Sequence, residues 1–306
     1  MTTTTRFPFQ RYLAPRFWPT WLGLGLLRAC LWLPYPRRMA LGRRMGQVLM
    51  KLMSRRRRIA DTNLRLCFPE LSDSERQHLL QRNFQSLGMA LVETAMCWWS
   101  SRQDLEALVE FDGLQHLRAA VAKGQGVILL SCHFDHLELG GRFLAMEQRF
   151  HVMYRKQKNK LIDEIMRRRR RHHFEKAIDR KDIRGVISSL KQGLPVWYAP
   201  DQDYGPKHSV FAPFFNVTAA SITATARFAS MTGAPVVPFF TRRLEQDRGY
   251  QVTLLPALQG YPAGDEVHDA TVINQVLEQQ IRQYPEQYLW IHRRFKTRPP
   301  GEDRLY

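Results

Sequence analysis

The stretch that most restricts the architecture of this chain is Gly126-Val127-Ile128-Leu129-Leu130, four aliphatic residues behind a glycine, with His133 three positions further on. A strand that is apolar at every position has no face to offer water. It must be covered on both sides, which is the situation of a strand inside a parallel sheet. Further short apolar runs predict strands at 151–154, 195–199, 235–240 and 250–255. Between and after them, helical spacing predicts helices at 135–148, 159–173, 182–192, 221–231 and 267–283. Strands alternating with helices imply an α/β layered domain.

The first third of the chain reads differently. Residues 17–36 are almost wholly apolar, with Trp18, Trp21 and Trp32 near the edges. Twenty residues at helical rise match the roughly 30 Å of a bilayer core, and edge tryptophans suit its interfaces. Arg28 lies inside the stretch, so a helix lying in the interface is the alternative to a span. A cleaved signal peptide would need a small-x-small cleavage site, and none follows the segment. The arginines that follow it (Arg37, Arg38, Arg43, Arg44 and 55–58) place the body on the cytoplasmic side by the positive-inside rule. The expected organisation is therefore an N-terminal membrane anchor at 1–37 and one domain at 38–306. That domain divides into a mainly helical lead-in at 38–110 and an α/β core at 111–306. Ser72 and Glu75 have the order of a capping box and predict a helix start in the lead-in.

A formal net charge of +18 over 306 residues points to polyanionic partners. The arginine runs lack interleaved aromatic stacking positions, which argues against nucleic acid. Anionic lipid headgroups are the expected contact of 55–58. The four cysteines, Cys30, Cys67, Cys97 and Cys132, are scattered, so neither a disulfide framework nor a structural zinc site is expected.

His133 falls just after the buried strand, where open α/β sheets place their chemistry. Glu138 is five residues later. If His133 lies on the strand-to-helix turn and Glu138 in the first helical turn, the carboxylate can reach one ring nitrogen and leave the other free to accept a proton. Spacing leaves two other readings open. Asp135 and Glu138 also have capping-box spacing. His133, Asp135 and His136 match half of a metallo-hydrolase signature whose first histidine position is occupied by Ser131. Farther along, arginines 167–171 lie on a helix, where they could clamp phosphates or pair with Asp163 and Glu164. Asp201 and Asp203 follow a strand, and turn chemistry is the plain alternative to a functional role for them.

Long blocks in order resemble the late acyltransferases of lipid A biosynthesis (the LpxL/HtrB family). They include Asn63-Leu64-Arg65-Leu66-Cys67-Phe68-Pro69, the segment from Ser86 to Thr94, His133 through Gly141, and Tyr198-Ala199-Pro200-Asp201-Gln202-Asp203. Phe211-Ala212-Pro213 and the ending from Trp290 to Pro299 complete the set. The resemblance implies a glycerolipid-acyltransferase-like layered αβα domain. It implies transfer of a fatty acyl chain from acyl carrier protein to a hydroxyl of a Kdo-bearing lipid A precursor at the bacterial inner membrane, without a cofactor or metal. On that resemblance His133 is the general base and Glu138 its partner, while Arg170 and Asp201 bind substrate. Lysophospholipid or mannoside acyltransfer is the neighbouring alternative.

Overall fold

The computed structural model describes residues 7–306. The aliphatic run after Gly126 forms β2 (Val127–Leu130), every residue of which is buried. It lies at the middle of a seven-stranded sheet. Four strands run parallel on one side of the molecule: β2, β3 (His151–Tyr154), β4 (Lys176–Asp179) and β5 (Pro195–Tyr198). On the other side β2 pairs in parallel with β8 (Val236–Arg243), which turns antiparallel into β9 (Tyr250–Leu254). The edge strand β1 (Val109–Asp112) then runs parallel to β9. The order across the sheet is β1-β9-β8-β2-β5-β3-β4. Helices α6 (Leu114–Val121), α7 (Leu137–Glu147), α8 (Lys160–His173), α9 (Ile183–Lys191), α10 (Ala224–Thr232) and α11 (Glu266–Gln283) fill the connections. A buried cluster on each side of the sheet makes a layered α/β arrangement.

Before the sheet the chain forms α2 (Tyr35–Leu52), α3 (Ser54–Cys67), α4 (Asp73–Trp99) and α5 (Arg102–Glu106). Ser72 and Glu75 form the reciprocal cap of α4. Helices α2 and α4 touch backbone to backbone. A Cβ placed on Gly88 would lie 2.1 Å from the carbonyl oxygen of Gly42 and 2.2 Å from the nitrogen of Gly46. Glycine is therefore required there by space rather than by conformation.

The expected membrane-spanning anchor is not formed. Only Trp18–Ala29 is α-helix (α1), bounded by 3-10 turns at Pro15–Phe17 and Cys30–Trp32. Leu33 is extended and Pro34 follows it, which ends the helical path. Twelve residues rise about 18 Å, well short of a bilayer core. Among the described residues no helix is long and apolar enough to cross a membrane. Instead α1 is two-faced. Leu24 is buried, whereas Trp18, Leu22 and Leu26, four residues apart, are exposed, as is Trp32.

Five elements were not legible beforehand: β1, α6, β4 and the hairpin of β6 (Ser209–Phe214) and β7 (Val217–Ile222). The hairpin turns on Phe215 and Asn216, both at positive φ, without the glycine that usually marks such a turn. The helix expected from residue 221 accordingly begins at Ala224, after β7.

Candidate active site

Register explains how the sheet assembles the site. In the parallel pair of β2 and β5, Leu130 stands opposite Tyr198, and the Ser131 amide still donates to the Tyr198 carbonyl. His133 and Asp201 each lie three residues beyond those paired ends, so they meet at the carboxyl edge of the sheet. That crevice is where open α/β folds hold their ligands.

The contact is two-pointed. The His133 amide donates to Asp201 Oδ2 at 2.9 Å, and the ring Nδ1 lies 2.6 Å from Oδ1. Asp201 is fully buried, while the His133 side chain is one-quarter exposed. Burial alone pushes the Asp201 carboxyl upward. The charge and hydrogen bonds of His133 oppose it, the Tyr288 hydroxyl donates at 2.9 Å, and the balance holds the group down at about 2. An ionised Asp201 fixes the ring proton on Nδ1 and leaves the Nε2 lone pair open. Asp201 thus occupies the place expected for Glu138.

Glu138 is in the first turn of α7, as expected, but its carboxylate binds Arg170. The guanidinium donates through Nε at 2.9 Å and Nη2 at 2.5 Å. Arg170 projects from α8 and is largely buried, with 13% of its side chain exposed. Burial works against its charge, but the adjacent Glu138 outweighs that and raises its pKa. The five arginines diverge: Arg167 and Arg168 pair with Glu164, whereas Arg170 alone reaches Glu138. Asp163 accepts from the Gln157 amide instead of pairing with an arginine.

The capping and metal readings do not assemble. His136 is the N-cap of α7 and makes no side-chain cap. Its Nε2 donates to the Thr241 carbonyl at 2.8 Å, inside the protein. Asp135 turns to Ser86, whose hydroxyl donates at 2.6 Å. His133, Asp135 and His136 therefore face three separate environments, and among the described residues no three metal-ligating side chains converge. Asp203 anchors the tail, accepting from the Thr297 amide at 2.6 Å and its hydroxyl at 2.9 Å.

Several residues that hold the turn escaped sequence reasoning. Leu289 donates to the His133 carbonyl and Asp135 to the Gln287 carbonyl, so the segment carrying Tyr288 is stitched to the turn that bears His133. Asn83 donates to the carbonyls of Glu286 and Tyr288. Beneath lies a buried pair, Arg243 and Glu93, whose guanidinium also donates to Ser86 Oγ at 2.7 Å. Glu93 accepts from the Tyr250 hydroxyl at 2.7 Å. The available signal was Glu93 itself, a carboxylate on the same helical stripe as Met89, Val92 and Met96.

The layered α/β fold thus brings a histidine–carboxylate pair to the carboxyl edge of its parallel strands. The chain belongs to the bacterial lipid A biosynthesis acyltransferase family, whose model matches residues 8–297. It is 43% identical to the lipid A biosynthesis lauroyltransferase of Escherichia coli (strain K12), covering 100% of both chains. It is 42% identical to the lipid A biosynthesis palmitoleoyltransferase of the same organism, covering 97% of each. A weaker structural likeness is to the 1-acyl-sn-glycerophosphate acyltransferase PlsC of Thermotoga maritima, at 13% identity and a TM-score of 0.39. It spans 81% of this chain and 97% of that one.

Proposed function

We propose that the protein transfers a fatty acyl chain from acyl carrier protein to the hydroxyl of a 3-hydroxyacyl chain on a Kdo-bearing lipid A precursor, with His133 as general base oriented by Asp201. The observation that carries the mechanism is the two-point hold of Asp201 on His133, with Nε2 left open. The substrate class is supported by family membership and by the full-length similarity to two lipid A acyltransferases.

A secondary alcohol is a weak nucleophile at neutral pH, so proton removal in the transition state is the service it needs. Nε2 takes the hydroxyl proton as the oxygen attacks the thioester carbonyl. The tetrahedral oxyanion collapses with loss of the thiolate, and the imidazolium returns its proton to sulfur. Asp201 stabilises the transient imidazolium and keeps the ring in one tautomer. A thioester is already activated, so no protein nucleophile enters the scheme. We assign Arg170, held by two hydrogen bonds to Glu138, to a phosphate of the substrate or to the developing oxyanion.

The fold is assigned here to the glycerolipid-acyltransferase-like group, with residues 38–306 as the acyltransferase domain. Residues 7–37 attach it to the cytoplasmic face of the bacterial inner membrane by lying in the interface. Support comes from the exposed stripe of Trp18, Leu22 and Leu26 beside a strongly basic chain. The test is mass-spectrometric detection of acyl transfer by purified protein given acyl carrier donors and the Kdo-bearing precursor. A new acyloxyacyl ester is expected, and its absence with every donor chain length overturns the assignment.

A further inference from the structure

Helix α8 has two functional sides. Arg170 faces Glu138, whereas Ile165, Arg168, Arg169 and His172, at steps of three and four, line a separate cavity against α1. The cavity encloses about 470 Å³, within the range of small-molecule pockets. Its floor is apolar, made by Trp21, Leu24 and Trp99 together with Ile165. Its rim is cationic. Arg28 lies over the Trp99 ring at 5.8 Å and Arg169 stands near it. Neither arginine forms an ion pair with a described residue, and residues 1–6 contain no acidic side chain. Partial burial and the charge of Arg28 both lower the pKa of Arg169, the mark of cations gathered without a counter-ion.

An apolar floor and two rim arginines, Arg28 and Arg169, without an ion pair to a described residue call for one ligand with both properties. We propose that the cavity between α1 and α8 binds an anionic amphiphile, an acyl chain on the aromatic floor and a phosphate head between Arg28 and Arg169. The neighbouring outer face of α1, with Trp18, Leu22 and Leu26 exposed, gives such a lipid an apolar route in. The same helix carries Arg170 on its other side, so a filled cavity bears directly on the element that positions that guanidinium.

This inference does not depend on acyl transfer, and its test reads binding alone. Trp21 and Trp99 lie in the cavity, so their fluorescence reports occupancy. The full chain, held in amphipol, is titrated with dodecyl phosphate below its micellar concentration. Dodecyl maltoside supplies the tail without the anion and inorganic phosphate the head without the tail. Dodecyl phosphate is expected to bind at least tenfold more tightly than either. Combined Arg28→Ala and Arg169→Ala should remove that advantage while the neutral detergent is unaffected. Arg169→Glu guards against a merely misfolded variant, because it should shift preference toward dodecyltrimethylammonium. His133→Ala should leave binding unchanged. Displacement by phosphatidylglycerol or by the Kdo-bearing precursor, whichever acts at the lower concentration, tells a bilayer lipid from the acceptor. Equal affinity for charged and neutral amphiphiles, or binding indifferent to both arginines, overturns the proposal.

Discussion

Asp135 lies in the same turn as His133, two residues further on, and titrates far from its ordinary range, so Asp135→Asn is an informative perturbation. Among the described residues its buried Oδ1 has no hydrogen-bond partner, and Oδ2 accepts from Ser86. Burial is the main cause that raises its pKa to about 8, with Ser86 and Arg243 opposing and Glu93 reinforcing. An unfolded aspartate titrates near 3.9. Because the folded value is the higher, the folded state binds the extra proton. The associated stability is complete below about pH 4 and is lost as pH rises toward 8. At pH 7 the lost part reaches about 4 kcal/mol, roughly three pH units at ~1.4 kcal/mol each. Asparagine keeps the shape and carries no charge, but leaves a buried amide group poorly satisfied, which costs about 1–3 kcal/mol at every pH. Urea unfolding in one detergent from pH 4.5 to 8.5 should therefore show the variant gaining on wild type. The difference should grow by roughly 1.4 kcal/mol per unit and level off near pH 8. Parallel stability curves would refute the reasoning.

Three further outcomes follow from the packing. Gly88→Ala drives a methyl into the α2 backbone and should cost about 2–3 kcal/mol or more in unfolding free energy, with a lowered melting temperature. Glu93→Gln leaves the Arg243 guanidinium buried without its counter-charge and should cost about 3–5 kcal/mol, part of which returns when Arg243→Met is added. Tyr288→Phe deletes one donor to Asp201 and should lower kcat by about tenfold with little change in KM, as expected for about 1.5 kcal/mol.

What was legible in the sequence is the part governed by local rules. β2 was readable because a strand with no polar position has one home, and β3 was predicted at its observed limits of 151–154. The cap at Ser72 depends on residues three apart and was equally plain. The membrane span failed because composition counts apolar residues without regard to where prolines and 3-10 turns interrupt the helix. His133 and Asp201 were both singled out, yet their pairing was not, because it depends on β2 and β5 being neighbours. Glu138 is near in sequence, and its motif spacing together with the family resemblance points to it for the role. Sixty-eight residues separate His133 from Asp201, and only the sheet order makes them adjacent. The Arg243–Glu93 pair, 150 residues apart, was invisible on the same grounds.

The central claim is that Asp201, rather than Glu138, orients His133. Steady-state acyl transfer by Asp201→Asn and Glu138→Gln, each with its melting temperature checked, tests it most directly. Asparagine at 201 offers an amide where an anion holds the ring, so kcat should fall on the order of 10³–10⁴-fold. Glutamine at 138 loosens Arg170 without touching the His133 tautomer, and its loss should be far smaller. The reverse ranking, with Asp201→Asn within tenfold of wild type and Glu138→Gln losing nearly all activity, would contradict the account.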